Sequence, residues 1–325
     1  MKISSRILYT TIICLFILNL LVVPKKTMAE LGSLQYYAFP GAWAMDNPDG
    51  WASMHHIRYM EIDNWRDEDG KEQDEMGDAL TGIDKFRAKQ YILKAAYIWH
   101  TGDRNQFQFC HVGIFPFADL KLTRTDWYSA YIGTPGDKHE SSSGMADPYF
   151  YNSFGWHNKS GGLHLSGSFT VRFPLGNYDK DDRSSIGLNR YEIVPAVYAH
   201  LRLPMADGFW MFDLAQNYTY ITKNHDMNYK DKSYMETNLI ITYFTSRENP
   251  KFGLFAQSDF MQATSDTDTE VGKLRDSDAW SLGIGGGVVY AVNKDIILNL
   301  KYTEDIDGKQ YRMDKALHFM LTLKH

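Results

Sequence analysis

The chain of 325 residues has two cysteines, Cys14 and Cys110, no excess of basic residues, and no long apolar run beyond its first thirty positions. Each shortage removes a class of protein. Two cysteines cannot staple a small disulfide scaffold. With Lys+Arg 34 against Asp+Glu 40, the formal net charge of -6 disfavours a nucleic-acid partner, because phosphate binding draws on an excess of cations. The missing apolar runs exclude a polytopic helical membrane protein. A hydrophobic share of 44% is too high for a disordered chain. Length alone allows one large domain or two of ordinary size.

The N-terminus sets the compartment. Lys2 and Arg6 precede an uncharged stretch from Ile7 to Pro24, and Thr27-Met28-Ala29 supplies small side chains before Glu30. That order of features reads as a secretory signal peptide over 1–29. An uncleaved membrane anchor is the alternative, since Lys25 and Lys26 follow the apolar core. Cys14 follows Ile13 in mid-core, which argues against a lipoprotein. Cleavage would remove four cations and no anion, leaving 30 basic and 40 acidic residues. Anionic partners are disfavoured. Cys110, the cysteine that remains, reads as a small strand side chain rather than a nucleophile.

What the chain does have is aromatic density, with 8 Trp, 21 Tyr and 18 Phe, and period-two alternation. Successive strand side chains point to opposite faces. From His164 to Phe173, Leu165, Gly167, Phe169, Val171 and Phe173 take one face, and His164, Ser166, Ser168, Thr170 and Arg172 take the other. Similar alternation places strands near 54–62, 89–99, 106–116, 147–157, 162–173, 191–203, 208–220, 234–245, 252–262, 279–291, 295–304 and 315–323. Each approaches the length a tilted strand needs to cross a bilayer. Leu120 to Ile132 is treated as loop. Connections then alternate, short near 100–105, 158–161, 204–207, 246–251 and 292–294, long near 63–88, 117–146, 174–190, 221–233, 263–278 and 305–314. Short periplasmic turns and long extracellular loops characterise outer-membrane barrels.

The predicted fold is therefore all-β: a transmembrane antiparallel up-and-down β-barrel of about 12 strands, within a range of roughly 10 to 14. It comprises 54–325, preceded by a periplasmic segment or small plug over 30–53. A soluble lipocalin-like barrel or β-sandwich also alternates, but predicts no aromatic belts. Trp280 and Tyr290 bracket Leu282, Ile284, Gly286 and Val288, as rings at two membrane interfaces would. Lys324-His325 replaces the aromatic residue common at barrel C-termini.

Several segments together resemble the outer-membrane transporters labelled as meta-pathway phenol-degradation proteins. They are Asp147-Pro148, the run from Ser168 to Asp179, Gly187-Leu188-Asn189-Arg190-Tyr191 leading to Pro195, Gly253-Leu254-Phe255-Ala256-Gln257 with Asp266 beyond, and Leu282-Gly283. Ala146, where the family tends to have Gly, and the acidic stretch from Asp63 to Asp78 depart from it. The resemblance implies an outer-membrane barrel for uptake of aromatic or other poorly soluble compounds in a Gram-negative bacterium.

With the apolar faces against lipid, the opposite faces line the lumen. The predicted solute path includes His164, Ser166, Ser168, Thr170, Arg172, Glu192, His200, Arg202, Asp213, Asn217, Gln257 and Asp259, and both charge signs occur along it. These charges either satisfy one another in a narrow barrel or leave a path for small neutral solutes. Tyr36, Tyr37, Phe39 and Trp43 form an aromatic stretch that would enter the lumen as a plug or fold against the periplasmic rim. The expected function is passive uptake of small hydrophobic or aromatic solutes. A barrel enzyme acting on lipid and an occluded structural barrel are the rivals. His164 and Ser166 share a face, as a nucleophile and base must, but no third residue orients the histidine.

No metal or cofactor is expected. Neighbours His55 and His56 point opposite ways, and Asp67, Asp69 and Gly70 lack the later ligands of a calcium loop. Gly283, Gly285 and Gly287 alternate within a strand and read as a thinning of the inner wall, not a nucleotide loop. The acidic loop residues Asp266, Asp268 and Glu270 would be solvated tips or would bind cations bridging lipopolysaccharide. Expected partners are outer-membrane lipid and lipopolysaccharide, the solutes themselves and the barrel-assembly machinery, with no nucleic acid.

Overall fold

A computed structural model describes residues 49–325, except 68, 73–82, 103–105, 125–138, 159–161, 180–184, 227–228, 247–250, 270–271 and 275–277. The signal segment and the plug residues Tyr36, Tyr37, Phe39 and Trp43 lie outside the described residues, as does Glu270. Alternating sequences zip into antiparallel hairpins: β1 (Gly50–Trp65), β2 (Ile83–Thr101), β3 (Phe107–Arg124), β4 (His139–Met145), β5 (Tyr149–His157), β6 (Leu163–Arg172), β7 (Glu192–Pro204) and β8 (Phe209–Ile221). The second half comprises β9 (Tyr234–Phe244), β10 (Phe252–Ala263), a small hairpin of β11 (Thr267–Thr269) and β12 (Gly272–Leu274), then β13 (Trp280–Ala291), β14 (Ile296–Lys309) and β15 (Arg312–Lys324).

Each wall strand pairs with its neighbours, and β1 closes onto β15 from Ala52↔Lys324 to Trp65↔Arg312. Closure removes the open sheet edges that a bilayer would leave unsatisfied. β4 and β5 occupy one wall position, both against β3, so the closed barrel has twelve strands. The interruption falls at Ala146-Asp147-Pro148, where Pro148 has no N–H to offer a ladder. Beside β4 the wall is continued by the segment after β6: Asn177 N–H donates to the Met145 carbonyl and Gly187 N–H to the Asn177 carbonyl.

The two faces differ chemically. Ile57, Phe150, Phe169, Val197, Leu254, Ile284, Leu300 and Phe319 are exposed, whereas His56, Arg58, Lys94, Thr170, Asp213, Lys301 and His318 are buried. Polar inside and apolar outside inverts a soluble barrel and suits lipid. Aromatic pairs mark the periplasmic edge: Trp51 with Tyr97 at 5.1 Å, Trp99 with Phe109 at 4.1 Å and Trp210 with Tyr243 at 4.9 Å between centroids.

Several expected boundaries are corrected. β1 begins at Gly50, and the expected loop over 117–146 contains the end of β3 and all of β4. The connection expected to be long over 305–314 shrinks to Gln310 and Tyr311 between β14 and β15, with Gln310 at a φ of 48°. The cause is common to these sites. Strands that rise past the membrane no longer need apolar outward residues, so Glu61, Lys121 and Glu304 sit where the alternation signal had required oily side chains. Asp67 Oδ1 accepts the Asp69 and Lys71 N–H groups, closing a turn.

Gly285 shows why the late glycines matter. A Cβ there would lie 2.6 Å from the Tyr302 carbonyl oxygen and 2.9 Å from Thr303 Cγ2. Gly285→Val is expected to lose about 1–3 kcal/mol through overpacking. A lower urea midpoint for tryptophan fluorescence in detergent would register it, and an unchanged midpoint would contradict the close approach.

Candidate functional site

β6 directs His164, Ser166, Ser168, Thr170 and Arg172 inward, because the register with β5 and β7 places Leu165, Gly167 and Phe169 outward. β7 and β8 add Glu192, His200, Arg202, Asp213 and Asn217, and β10 adds Gln257 and Asp259. All twelve expected positions share the interior. Ser168 and Arg202 are half-buried and the other ten are buried.

These side chains are tied to one another. His200 Nδ1 and Asp213 Oδ1 are 2.7 Å apart, Gln257 Nε2 donates to Asp259 Oδ2 at 2.9 Å, and Ser168 Oγ donates to Tyr198 OH at 3.3 Å. Asn217 Nδ2 donates to Glu236 Oε2 at 3.4 Å, and the Arg202 guanidinium lies 3.8 Å over the Phe209 ring. No bond joins Ser166 to His164. Neither Ser166 Oγ nor His164 Nε2 has a partner, and the imidazole crosses Gly155. His55 and His56 point apart, His55 to Tyr91 OH outside and His56 Nε2 to His318 Nδ1 inside at 3.0 Å. Among the described residues no group of three or more His, Cys, Asp or Glu could hold a metal ion.

At the extracellular end the wall break is fastened by a buried charge network. Asp147 Oδ2 accepts from Arg172 Nε at 3.2 Å and from Leu188 N–H at 2.9 Å, while Oδ1 accepts from Gly176 N–H at 2.9 Å. Arg172 Nη1 reaches Glu192 Oε1 at 3.1 Å, Arg190 Nη2 reaches the same oxygen at 3.4 Å, and Arg190 also pairs with Asp231. One carboxylate thus grips both ends of the segment that continues the wall. Opposite charges here are buried together, which limits the cost of desolvating either.

Sequence reasoning missed the other half of the interior. The inner faces of β1, β2, β3 and β5 carry apolar clusters, with Met54, Ile92, Ala96, Cys110, Val112, Ile114 and Tyr151 in one. Met60, Ile62, Phe86, Ala88 and Leu122 form a second nearer the extracellular end. Between them Arg58, Lys94, His56 and His318 make a polar belt, with Arg58 Nη2 to Asp314 Oδ2 at 2.9 Å and His318 Nε2 to Thr303 Oγ1 at 3.1 Å. The signal was present. β2 and β3 carry apolar residues on both faces, as in Tyr91-Ile92-Leu93 and Val112-Gly113-Ile114-Phe115, where a wet inner face would have forced polar residues at alternate positions.

The family described as the MetA-pathway of phenol degradation matches residues 70–319. Among solved structures, the COG4313 outer membrane channel from Pseudomonas putida F1 superposes with a TM-score of 0.71 at 14% identity, covering 88% of this chain and 99% of that one. The transport unit of the autotransporter AIDA-I from Escherichia coli gives a TM-score of 0.51 at 10% identity over 91% of this chain and 93% of that one. At such identities the likeness is one of fold. No functionally curated protein matches in sequence.

Proposed function

The chain belongs to the phenol-degradation MetA-pathway family, and from that premise we propose that this outer-membrane barrel passes small hydrophobic or aromatic compounds passively. The observation that carries the reading is the divided interior. Apolar clusters on the inner faces of β1, β2, β3 and β5, divided by the belt of His56, Arg58 and Lys94, oppose a face on β6 to β10 whose polar side chains bond one another. A ring with one polar substituent can desolvate against the first and keep a hydrogen bond to the second. Paired charges exert a weaker net field than a ladder of one sign, so ions gain less than neutral solutes do. No energy source is needed, since such compounds move down their own gradient. The partners in this reading are those solutes and the lipid around the barrel.

Planar-bilayer recording of the refolded protein tests it, with phenol or toluene added to the bath. Steady openings that the aromatic solute alters support the channel. A folded barrel that never conducts and shows no solute flux in vesicles would sink it. The double change Ile92→Thr with Val112→Thr is isosteric at Val112, one carbon smaller at Ile92, and wets the apolar face; two such changes disfavour an apolar solute by roughly 0.5–1 kcal/mol each. The expected result is about tenfold weaker sensitivity to toluene with the ionic current retained.

A further inference from the structure

On the outer face of β14, β15, β1, β2, β3 and β4, three hydrogen-bonded rows lie one above another. The lowest is Leu300, Phe319, Ile57, Tyr91, Phe117 and Met145; the next is Tyr302, Leu317, Tyr59, Lys89, Asp119 and Ser143. The third is Glu304, Lys315, Glu61, Arg87, Lys121 and Ser141. Four residues along a strand, about 13 Å, turn a fully apolar row into a charged one. The middle row holds Tyr59 and Tyr302, rings suited to the boundary between hydrocarbon and headgroup. The charged row therefore stands at headgroup depth on the extracellular side.

Within it the carboxylates are already served. Lys85 Nζ meets Glu61 Oε1 at 2.6 Å, Arg87 Nη2 meets the same oxygen at 3.1 Å, and Lys315 Nζ meets Asp63 Oδ2 at 2.7 Å. Lys89 and Lys121 are exposed and form no ion pair among the described residues, although Asp119 stands opposite Lys89 in the ladder. Arg87 and Lys121 are direct partners across β2 and β3, with Lys89 two residues away on the same face. Like charges placed directly opposite destabilise a sheet. Glu61 offsets part of that repulsion, and an anion seated between Arg87 and Lys121 would remove the rest.

The geometry points to a lipopolysaccharide site: Arg87, Lys89 and Lys121 hold a phosphate of the outer-leaflet glycolipid, and its acyl chains lie along Ile57, Tyr91 and Phe117. The site rests on the outer-membrane placement used above but not on conduction, so the test below reads it without any channel current. Phosphate meets ammonium and guanidinium groups through charge-assisted hydrogen bonds; Arg87 gives Nε and Nη2 to Glu61 Oε1, which leaves Nη1 for the phosphate beside the two lysines. A glycolipid fits better than free phosphate because the apolar row beneath supplies the chains with a matching surface.

The experiment titrates the full folded barrel in detergent with diphosphoryl lipid A, its dephosphorylated form and phosphatidylglycerol, reading bound lipid by native mass spectrometry. Diphosphoryl lipid A is expected to bind at least ten times more tightly than the other two. The triple variant Arg87→Gln, Lys89→Gln, Lys121→Gln is expected to lose that preference, while Lys251→Gln with Lys294→Gln, at the periplasmic turns, retains it. Heat-modifiable migration confirms that each variant is folded, and raised salt should weaken binding to wild type. Equal binding of phosphatidylglycerol, or a triple variant that still prefers diphosphoryl lipid A, would overturn the site. Neither outcome bears on whether solutes pass through the interior.

Discussion

Ile284→Arg is expected to abolish most assembly of the barrel. Ile284 lies on β13 between Trp280 and Tyr290, faces outward and is 46% exposed, so an arginine there would point into hydrocarbon. Near the midplane the cost is about 2–4 kcal/mol, a large share of the stability of any domain. Val197→Arg on β7, at an outward site 62% exposed, should act in the same direction. Ser168→Asn, on the inner face beside Tyr198, should assemble normally. Heat-modifiable migration after outer-membrane extraction gives the comparison. The opposite ranking would mean that the apolar face is turned inward and the barrel is a soluble one.

Arg172→Ala is the second large effect. Its guanidinium sits between Asp147 and Glu192, all three buried, so truncation strands two carboxylates in a dry place. Removing one partner of a buried pair costs about 3–5 kcal/mol. The loss is local before it is global. Asp147 also holds Gly176 and Leu188 through their N–H groups, so loosening it frees the chain between them. Limited proteolysis on whole cells should then cut between residues 173 and 191 faster in the variant than in wild type. Asp147→Asn keeps one acceptor oxygen and sets an NH2 against the other backbone N–H, so it too should be cut faster than wild type. Protease resistance of Arg172→Ala equal to that of wild type would mean that the network does not fasten the wall.

How legible this molecule is from its sequence depends on which constraint acts on each side chain. β6 reads without error because lipid demands apolar residues at Leu165 and Phe169 while the interior holds polar ones at His164, Ser166 and Thr170. β4 is illegible, since its outward His139, Ser141 and Ser143 meet neither hydrocarbon nor a core. β14 and β15 run on to a two-residue turn for the same reason: Glu304 and Lys315 have left the hydrocarbon core, so polarity no longer reports on strand. The polar half of the candidate path was readable from alternation. Its apolar half was hidden because Ile92 and Val112 look like lipid-facing residues until register fixes which way they point. The bond from Asp147 to Leu188 joins residues 41 apart through a loop, and no local pattern encodes it.

The seam between β1 and β15 also has a kinetic meaning. Every other neighbouring pair of wall strands is close in sequence, and those joined by a short turn are hairpins of a kind that forms within microseconds. The seam joins His56 to His318, 262 residues apart, and so carries a loop-closure entropy that no hairpin does. Contact order concentrated in one pairing makes closure the slow step, preceded by an open, curled sheet with two unsatisfied edges. Those edges are the ones on which the barrel depends for protection during its biogenesis, and a helper that shields β1 and β15 would act at the moment when aggregation competes best with folding.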